Sequence, residues 1–284
     1  MKVLAVSGGP DSVFLLEKYK NEKVVVCHVN YQKRTTSSLD QTIVEALCRR
    51  YSIPLYTLDL SNVNHQGNFQ DWARKKRYDF FREIYYKTGA EALLTAHHID
   101  DNIETYLMQK KVKKVINHYG IKKNNVVYGM NIYRPFCYSK TKKQIWKEIN
   151  KLGLPFAIDV SNFTDSYQRN KERIYAKNFH FLRKLAVLNI IKMRNFFLKI
   201  KNWGVDREFK KWSKTSFDQE CFSHLKNKDQ LVYKYINQNF MDIKLSRGKI
   251  AAINDFIVSE NRTSKYKLKD NCYLIKYRGR LLKK

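Results

Sequence analysis

Glycine and proline are scarce in this chain, 10 and 4 among 284 residues, and neither an internal repeat nor a low-complexity linker is visible. Cysteine is sparse as well. Cys27, Cys48, Cys137, Cys221 and Cys272 are scattered, odd in number and without a C-x-x-C pair, which argues against a disulfide framework, a cysteine zinc site or an iron–sulfur cluster. Cys27, Cys48 and Cys137 read as buried small apolar residues. No apolar run is long enough to span a bilayer, and Met1-Lys2 leads straight into a strand with no signal peptide, so a cytoplasmic protein without a membrane partner is expected. Acidic residues are few: 26 Asp+Glu face 55 Lys+Arg, a formal net charge of +29. Such an excess implies a polyanionic partner, nucleic acid before membrane. An AT-biased genome, which also enriches Lys, Asn, Tyr, Phe and Ile, would account for part of that charge. What the chain does hold is enough apolar material for a sizeable core, 43% hydrophobic and 14% aromatic, and enough length for two domains.

The most informative stretch is Ser7-Gly8-Gly9-Pro10-Asp11-Ser12. It follows the apolar run Val3-Leu4-Ala5-Val6 and precedes Val13-Phe14-Leu15-Leu16, which reads as a buried strand, a turn and the start of a helix. Two glycines let backbone amides turn toward an anion, and the helix aims its unpaired N–H groups at the same spot. The spacing is neither a Walker A loop nor the dinucleotide fingerprint G-x-G-x-x-G. An ordinary glycine-rich turn, with Ser12 as a cap and Asp11 complementing the helix dipole, is the plainer alternative.

Further strands are expected over 23–30, 54–59 and 91–96, and helices over 37–51, 69–86 and 102–112. Strands alternating with helices predict an α/β fold, a parallel sheet covered by helices on both faces, with ligands at the carboxyl ends of the strands. The glycine loop, His28 to Asn30 and His97-His98 all fall at such ends. A basic excursion over 113–130 with a short hairpin ending at 126–130, a helix over 141–152, a last short strand at 156–158 and a long basic helix over 179–203 follow. The C-terminal part reads as a helix over 250–258 and strands over 264–268 and 272–277. The expected division is a catalytic domain over 1–178, a linker helix over 179–203 and a small α+β domain over 204–284.

A second constellation is Thr95-Ala96-His97-His98-Ile99-Asp100-Asp101-Asn102-Ile103-Glu104-Thr105. Asp101 and Glu104 stand at i, i+3 on one helix face. Capping by Asp100 or Asp101 explains one acid, but three acids and two histidines opposite a phosphate site make better sense as a receptor for a cationic amine. The spacing is not a standard zinc signature. In a third, Asn68 to Tyr78, Arg74 and Arg77 lie at i, i+3 and could clamp phosphate or RNA backbone, or form a solvated basic face with Trp72 and Ala73 in the core. A fourth runs from Asp159-Val160-Ser161-Asn162 to Arg169 and Arg173, which could equally be helix-surface charges.

The SGGxDS pattern resembles the signature of PP-loop (N-type) ATP pyrophosphatases, which split ATP between the α- and β-phosphates. The ordered set Ser7 to Ser12, Asn68 with Ala73-Arg74 and Arg77-Tyr78, Thr95 to Thr105, Arg134-Pro135-Phe136 and Asp159 to Arg173 resembles the tRNA(Ile)-lysidine synthetase family over roughly the first two-thirds of the chain. Weaker similarity continues through Leu245-Ser246-Arg247 and Tyr273-Leu274-Ile275 into what looks like that family's small C-terminal tRNA-binding domain. The resemblance places the chain at the short end of the family, where the longest members' extra C-terminal module is expected to be lacking, so tRNA recognition is expected to be simpler or to lean on bulk charge.

The resemblance implies a PP-loop, Rossmann-like domain that binds ATP through Ser7, Gly8, Gly9, Pro10, Asp11, Ser12, His28 and Asn30, with Asp11 holding Mg²⁺. It implies a carbon–nitrogen ligase acting on the wobble cytidine of tRNA(Ile) with a CAU anticodon. ATP adenylates the cytosine carbonyl oxygen, and L-lysine then displaces AMP to give lysidine, converting decoding from AUG to AUA. Asp101, Glu104 and His98 would bind the lysine; Asp11, Asp101 and Arg173 would be catalytic; Arg74, Arg77, Arg134 and Arg169 would contact tRNA or phosphate. Oligomeric state stays open, a homodimer being one option. A PP-loop tRNA thiolase and a non-catalytic basic RNA-binding protein are the alternatives, and NAD and GMP synthetases fit the later motifs and the charge poorly.

Overall fold

The computed structural model describes residues 1–31, 37–60, 63, 67–111, 116–157, 179–240 and 243–282. The chain divides into two compact units, one of residues 1–108 and 120–189 and the other of residues 109–119 and 190–284.

The first unit is built on a six-stranded sheet ordered β3-β2-β1-β4-β6-β5. Its strands are β1 (Lys2–Ala5), β2 (Val24–Asn30), β3 (Leu55–Asp59), β4 (Ala92–Leu94), β5 (Asn124–Val127) and β6 (Met130–Tyr133). Every neighbouring pair is parallel except the β5–β6 hairpin. Helices α1 (Pro10–Tyr19), α2 (Ser37–Arg50), α3 (Phe69–Lys87), α4 (Ile99–Lys111) and α5 (Lys142–Lys151) connect or follow them. The near-continuous apolar strands are explained by burial on both faces, because successive side chains point to opposite sides. Leu4, Val24 and Val26 pack with Val13, Phe14 and Leu16 of α1 and with Ile145 and Ile149 of α5. Val3, Val25 and Cys27 point the other way, onto Tyr78, Phe81 and Ile84 of α3.

The strand order places a switch point between β1 and β4: the chain leaves β1 in one direction along the sheet and returns to its other side at β4. The loops that follow these two strands therefore open side by side, where open α/β sheets place their ligands.

Several boundaries differ from those expected. The hairpin does not end at 126–130 but turns there. Tyr128 and Gly129, both at positive φ (51° and 82°), make the two-residue turn into β6, as a right-handed sheet twist requires. Its second strand, β6, joins the parallel sheet beside β4, a partnership that a four-residue run does not announce. Residues 156–157 are irregular rather than a strand, and Ile158 lies outside the described residues. The long helix, α6 (Phe181–Lys214), continues eleven residues past the expected end at 203.

The second unit adds α7 (Gln219–Ser223), α8 (Lys228–Asn239) and α9 (Arg247–Val258) and an antiparallel sheet β7-β8-β9 of Ser264–Lys269, Cys272–Tyr277 and Arg280–Leu281. Its third, two-residue strand was not expected. The core centres on Trp212, fully buried, whose ring lies 4.7 Å from Phe222, 5.1 Å from Phe217 and 5.6 Å from Tyr235, while its indole N–H donates to Asp218 O at 2.9 Å. Lys276 is also buried. Its ammonium donates to the carbonyls of Phe256, Ile257 and Ser259 and to Ser259 Oγ, at 2.8–3.2 Å, so a cation closes the carbonyl end of α9. Trp212→Ala should destabilise this unit by about 3–5 kcal/mol. Urea unfolding followed by tyrosine fluorescence measures this, and a loss below about 1 kcal/mol would show that the ring cluster is not the core's centre.

Candidate functional site

The loop after β1 is shaped by backbone needs. Gly8 has φ +89°, and a Cβ there would lie 2.8 Å from Asp40 O and 2.9 Å from Asp40 Cα, so only glycine fits. At Gly9 an added Cβ would meet nothing closer than Ser7 Oγ at 3.8 Å, so the loop opens there onto free space. Gly9 is the extended residue before α1, Pro10 opens the helix, and no side chain caps that end. Ser12 is occupied in bracing the loop: its hydroxyl donates to Gly9 O at 2.9 Å and accepts from Ser7 N at 3.0 Å, with Ser7 Oγ at 3.2 Å. Gly8 O accepts from Ala157 N at 3.0 Å. The result is a pinned turn whose uncapped helix end can receive an anion.

The loop after β4 delivers a charged cluster to the same place. His98, 3% exposed, precedes α4. Its Nε2 is 3.7 Å from Asp11 Oδ2, and its Nδ1 is 3.3 Å from Asp101 Oδ2 and 3.7 Å from Asp100 Oδ2. Burial alone would lower its pKa, but Asp101, Asp11 and Asp100 outweigh burial and push it up to about 9. The raised pKa favours the imidazolium at neutral pH, with the short Asp101 carboxylate contact at Nδ1 outweighing the long approach of Asp101 N to the same nitrogen at 3.4 Å. Asp101 Oδ2 also accepts from His98 N at 2.9 Å, closing the helix N-terminus. Asp100 accepts from Lys142 N at 2.8 Å and pairs with the ammonium of Lys184, which is itself buried. A capping box between Thr141 and Gln144 fixes the start of α5 that supplies Lys142 N. Three carboxylates thus meet two internal cations, and Asp11 Oδ1 is buried without a hydrogen-bond partner among the described residues. A buried, unpartnered carboxylate oxygen beside an anion cradle suits a bound cation.

The other expected site residues are placed as follows. His28 lies buried under the loop, its Nδ1 donating to Val6 O at 2.9 Å, and burial lowers its pKa, so it is neutral; its Nε2 has no partner among the described residues. Asn30, at the end of β2, donates to Gln41 Oε1 at 2.9 Å. Glu104 is buried one turn along α4 from Asp101. Arg74 and Arg77 are exposed on α3. The Arg74 guanidinium lies 4.7 Å from the centre of the Tyr78 ring, and Arg77 Nε donates to Tyr31 Oη at 2.9 Å. Arg134 is buried and donates to Lys122 O at 2.9 Å and Asn125 Oδ1 at 2.6 Å; burial lowers its pKa, and in this arrangement it ties down the strand hairpin. Arg169, Arg173 and the turn Asp159 to Asn162 lie outside the described residues.

Two residues of this region escape sequence reasoning. Asn102, fully buried, donates to Cys137 O at 3.0 Å and accepts from Ile121 N at 2.7 Å, locking α4 to two loops. Lys184 is the other; one lysine among many on a basic helix carries no signal.

Residues 2–176 match the family model of the PP-loop domain, so the site described here is the phosphate loop of a PP-loop protein. Over 97% of its length the chain is 42% identical to tRNA(Ile)-lysidine synthase of Mycoplasmopsis pulmonis, covering 96% of that protein. Over 99% it is 36% identical to the enzyme of the same name from Mesomycoplasma hyopneumoniae, covering 95%. The chain belongs to the tRNA(Ile)-lysidine synthase family. Among solved structures, a U34-tRNA thiolase from Methanococcus maripaludis superposes with a TM-score of 0.57 at 14% identity, over 70% of this chain and 71% of that one, a likeness of fold alone.

The His98 assignment has a pH signature. Its folded pKa of about 9 lies above the ordinary 6.5, so the stability contributed by its proton is complete below the lower value and is lost as pH rises through the upper one. Urea midpoints of the nucleotide-free protein should fall across that window more steeply than those of His98→Asn. Parallel pH curves for the two proteins would refute a charged His98.

Proposed function

We propose that the chain joins L-lysine to the wobble cytidine of tRNA(Ile) with a CAU anticodon, at the expense of ATP cleaved to AMP and pyrophosphate. Membership of the lysidine synthase family supports the reaction class. The observation that carries the residue assignments is the juxtaposition of the open phosphate loop with a carboxylate cluster bridged by His98.

ATP's phosphates would lie against Gly8, Gly9 and the start of α1, with Ser7 and Ser12 holding the loop in shape. The residues present fit Mg²⁺ as a nucleotide-borne ion: Asp11 offers one unpartnered oxygen, and among the described residues no three or more His, Cys, Asp or Glu side chains are arranged to hold a metal ion by themselves. Magnesium keeps waters and phosphates as most of its ligands, so one carboxylate is sufficient. When bound, it would neutralise charge on the departing pyrophosphate. The cytidine, turned out of its stack, attacks the α-phosphorus through its carbonyl oxygen; the bond from α-phosphorus to the bridging oxygen breaks and pyrophosphate leaves. The lysine ε-amine then adds to the activated ring carbon, and AMP departs with the former carbonyl oxygen.

Asp101, with Glu104 one turn away, is the proposed seat of the lysine ammonium. A His98 that already carries its proton does not serve as the base at neutral pH; its part is to hold Asp11 and Asp101 in register. The proton that the ammonium must lose before attack therefore goes to a nearby carboxylate or to His97. Arg74, Arg77 and Arg169 are proposed to contact tRNA phosphate, and Arg173 to face the activated base. Arg134 acts on tRNA only through the hairpin it fastens. The second unit is proposed to grip tRNA. No described helix is long and apolar enough to cross a membrane, and the enzyme is proposed to work in the cytoplasm, where its substrate is.

A thiolase needs a reactive sulfur. Burial pushes the thiol of Cys27 up to about 12 and those of Cys48 and Cys137 up to about 11, which makes each a poor thiolate. Cys221 and Cys272 lie in the other unit.

Purified protein with ATP, Mg²⁺ and labelled lysine should label tRNA(Ile) bearing CAU; sulfur transfer from a persulfide donor without lysine incorporation would reverse the assignment. Asp11→Ala should abolish pyrophosphate release with tRNA affinity nearly unchanged. Asp101→Asn should raise the lysine KM at least about tenfold, as loss of a charge-assisted contact does, and an unchanged KM would move the amine site elsewhere.

A further inference from the structure

In the second unit, helix α6 uses one side for its core and presents an opposite side that the unit leaves exposed. Ile191, Val205, Phe209 and Trp212 are buried. At about 100° per residue, Met193, Phe196, Ile200 and Trp203 fall on the far side, and they are 52%, 61%, 54% and 70% exposed. Phe197 borders the row and touches Phe196 edge-on, with ring centres 5.8 Å apart. The same side then changes character. Arg207, Lys210, Lys211 and Lys214 continue it toward the end of the helix, all exposed. Apolar rings at one end and four cations at the other thus share a single straight face.

We infer that this face of α6 is an RNA-docking surface on which unpaired tRNA bases stack against Phe196 and Trp203 while the adjoining phosphates meet Arg207 to Lys214. The inference rests on the proposal that the chain acts on tRNA. Charge complementarity selects the occupant. The chain carries a net +29, so a second copy would bring like charge to this face, whereas a polyanion neutralises it. Single-stranded nucleic acid is held in this manner, by a basic track joined to aromatic planes, each stacked base adding severalfold to a hundredfold in affinity.

The test uses the full chain and a tRNA(Ile) transcript with a CAU anticodon. Phe196→Ala and Trp203→Ala should each weaken tRNA binding about tenfold while ATP affinity stays unchanged, which also reports an intact first unit. Trp203→Phe should retain binding and Trp203→Leu should lose it, because leucine keeps the apolar area but has no π-face. tRNA should quench tryptophan fluorescence in the wild type and much less in Trp203→Phe. Lys210→Ala with Lys211→Ala should flatten the dependence of affinity on salt. Equal tRNA affinity for wild type and Trp203→Leu overturns the inference. It is likewise overturned if the variants alter only the mass in solution, or only sedimentation with phosphatidylglycerol vesicles. If wild type binds the tRNA but adds no lysine, the proposed activity fails while these affinity ratios still judge the face; if lysine is added and the ratios are flat, the face alone is wrong.

Discussion

A protonated histidine held among three carboxylates is the interaction on which the site's geometry depends. His98 reaches Asp11 in one loop with its Nε2 and Asp101 in the other with its Nδ1, so one rigid ring sets the spacing between the phosphate loop and the start of α4. Burying such charges is costly, and a buried ion cluster is weak evidence of stability gained. Its value here lies in position. A flexible lysine in the same place could satisfy the carboxylates in many arrangements, whereas a planar ring with two fixed N–H directions admits few. Lys184 and the amide of Lys142 complete Asp100, which brings the starts of α4, α5 and α6 to one carboxylate.

The meeting of these loops follows from the order of the strands. β1 lies between β2 and β4, so the segments leaving β1 and β4 emerge at adjacent strand ends with no covering crossover between them. Glycine at position 8 lets the backbone pass against Asp40 of α2, and Ser12 ties the loop back on itself. Neither feature binds anything. Both fix the shape of the turn, so that an anion can use its remaining amides without first reorganising the backbone.

How much of this was legible in the sequence depends on how local each cause is. The phosphate loop was, because strand, glycine pair and helix start lie within a dozen residues and obey rules of backbone conformation. The alternation of strand and helix gave the sheet and its ligand edge. The acid cluster was visible as a cluster, but not as a nearly filled one: Lys184 lies more than eighty positions from Asp100 and looks like any other basic helix residue. Arg134 shows the same limit in reverse, since a motif arginine that reads as a phosphate contact turns out to be buried against Lys122 O and Asn125. β6 was missed because four residues carry too little pattern to outweigh their neighbours. The 2–176 family match includes the stretch of Arg169 and Arg173, whose roles rest on the motif alone.

Three acids beside a phosphate site pose an electrostatic difficulty that the two internal cations resolve. Unit charges 4 Å apart at an effective dielectric near 20 interact by about 4 kcal/mol, so an uncompensated trio would oppose nucleotide binding. With His98 charged and Lys184 paired to Asp100, the cluster of Asp11, Asp100 and Asp101 has nearly one excess negative charge. That residue of charge suits one further cation, for which the proposed metal ion at Asp11 and the proposed ammonium at Asp101 would compete. Because His98 stands between the two carboxylates, neutralising one alters its hold on the other. The proposed nucleotide and amine sites, sharing an imidazolium, would therefore be coupled by Coulomb interaction at short range, without any movement of the fold.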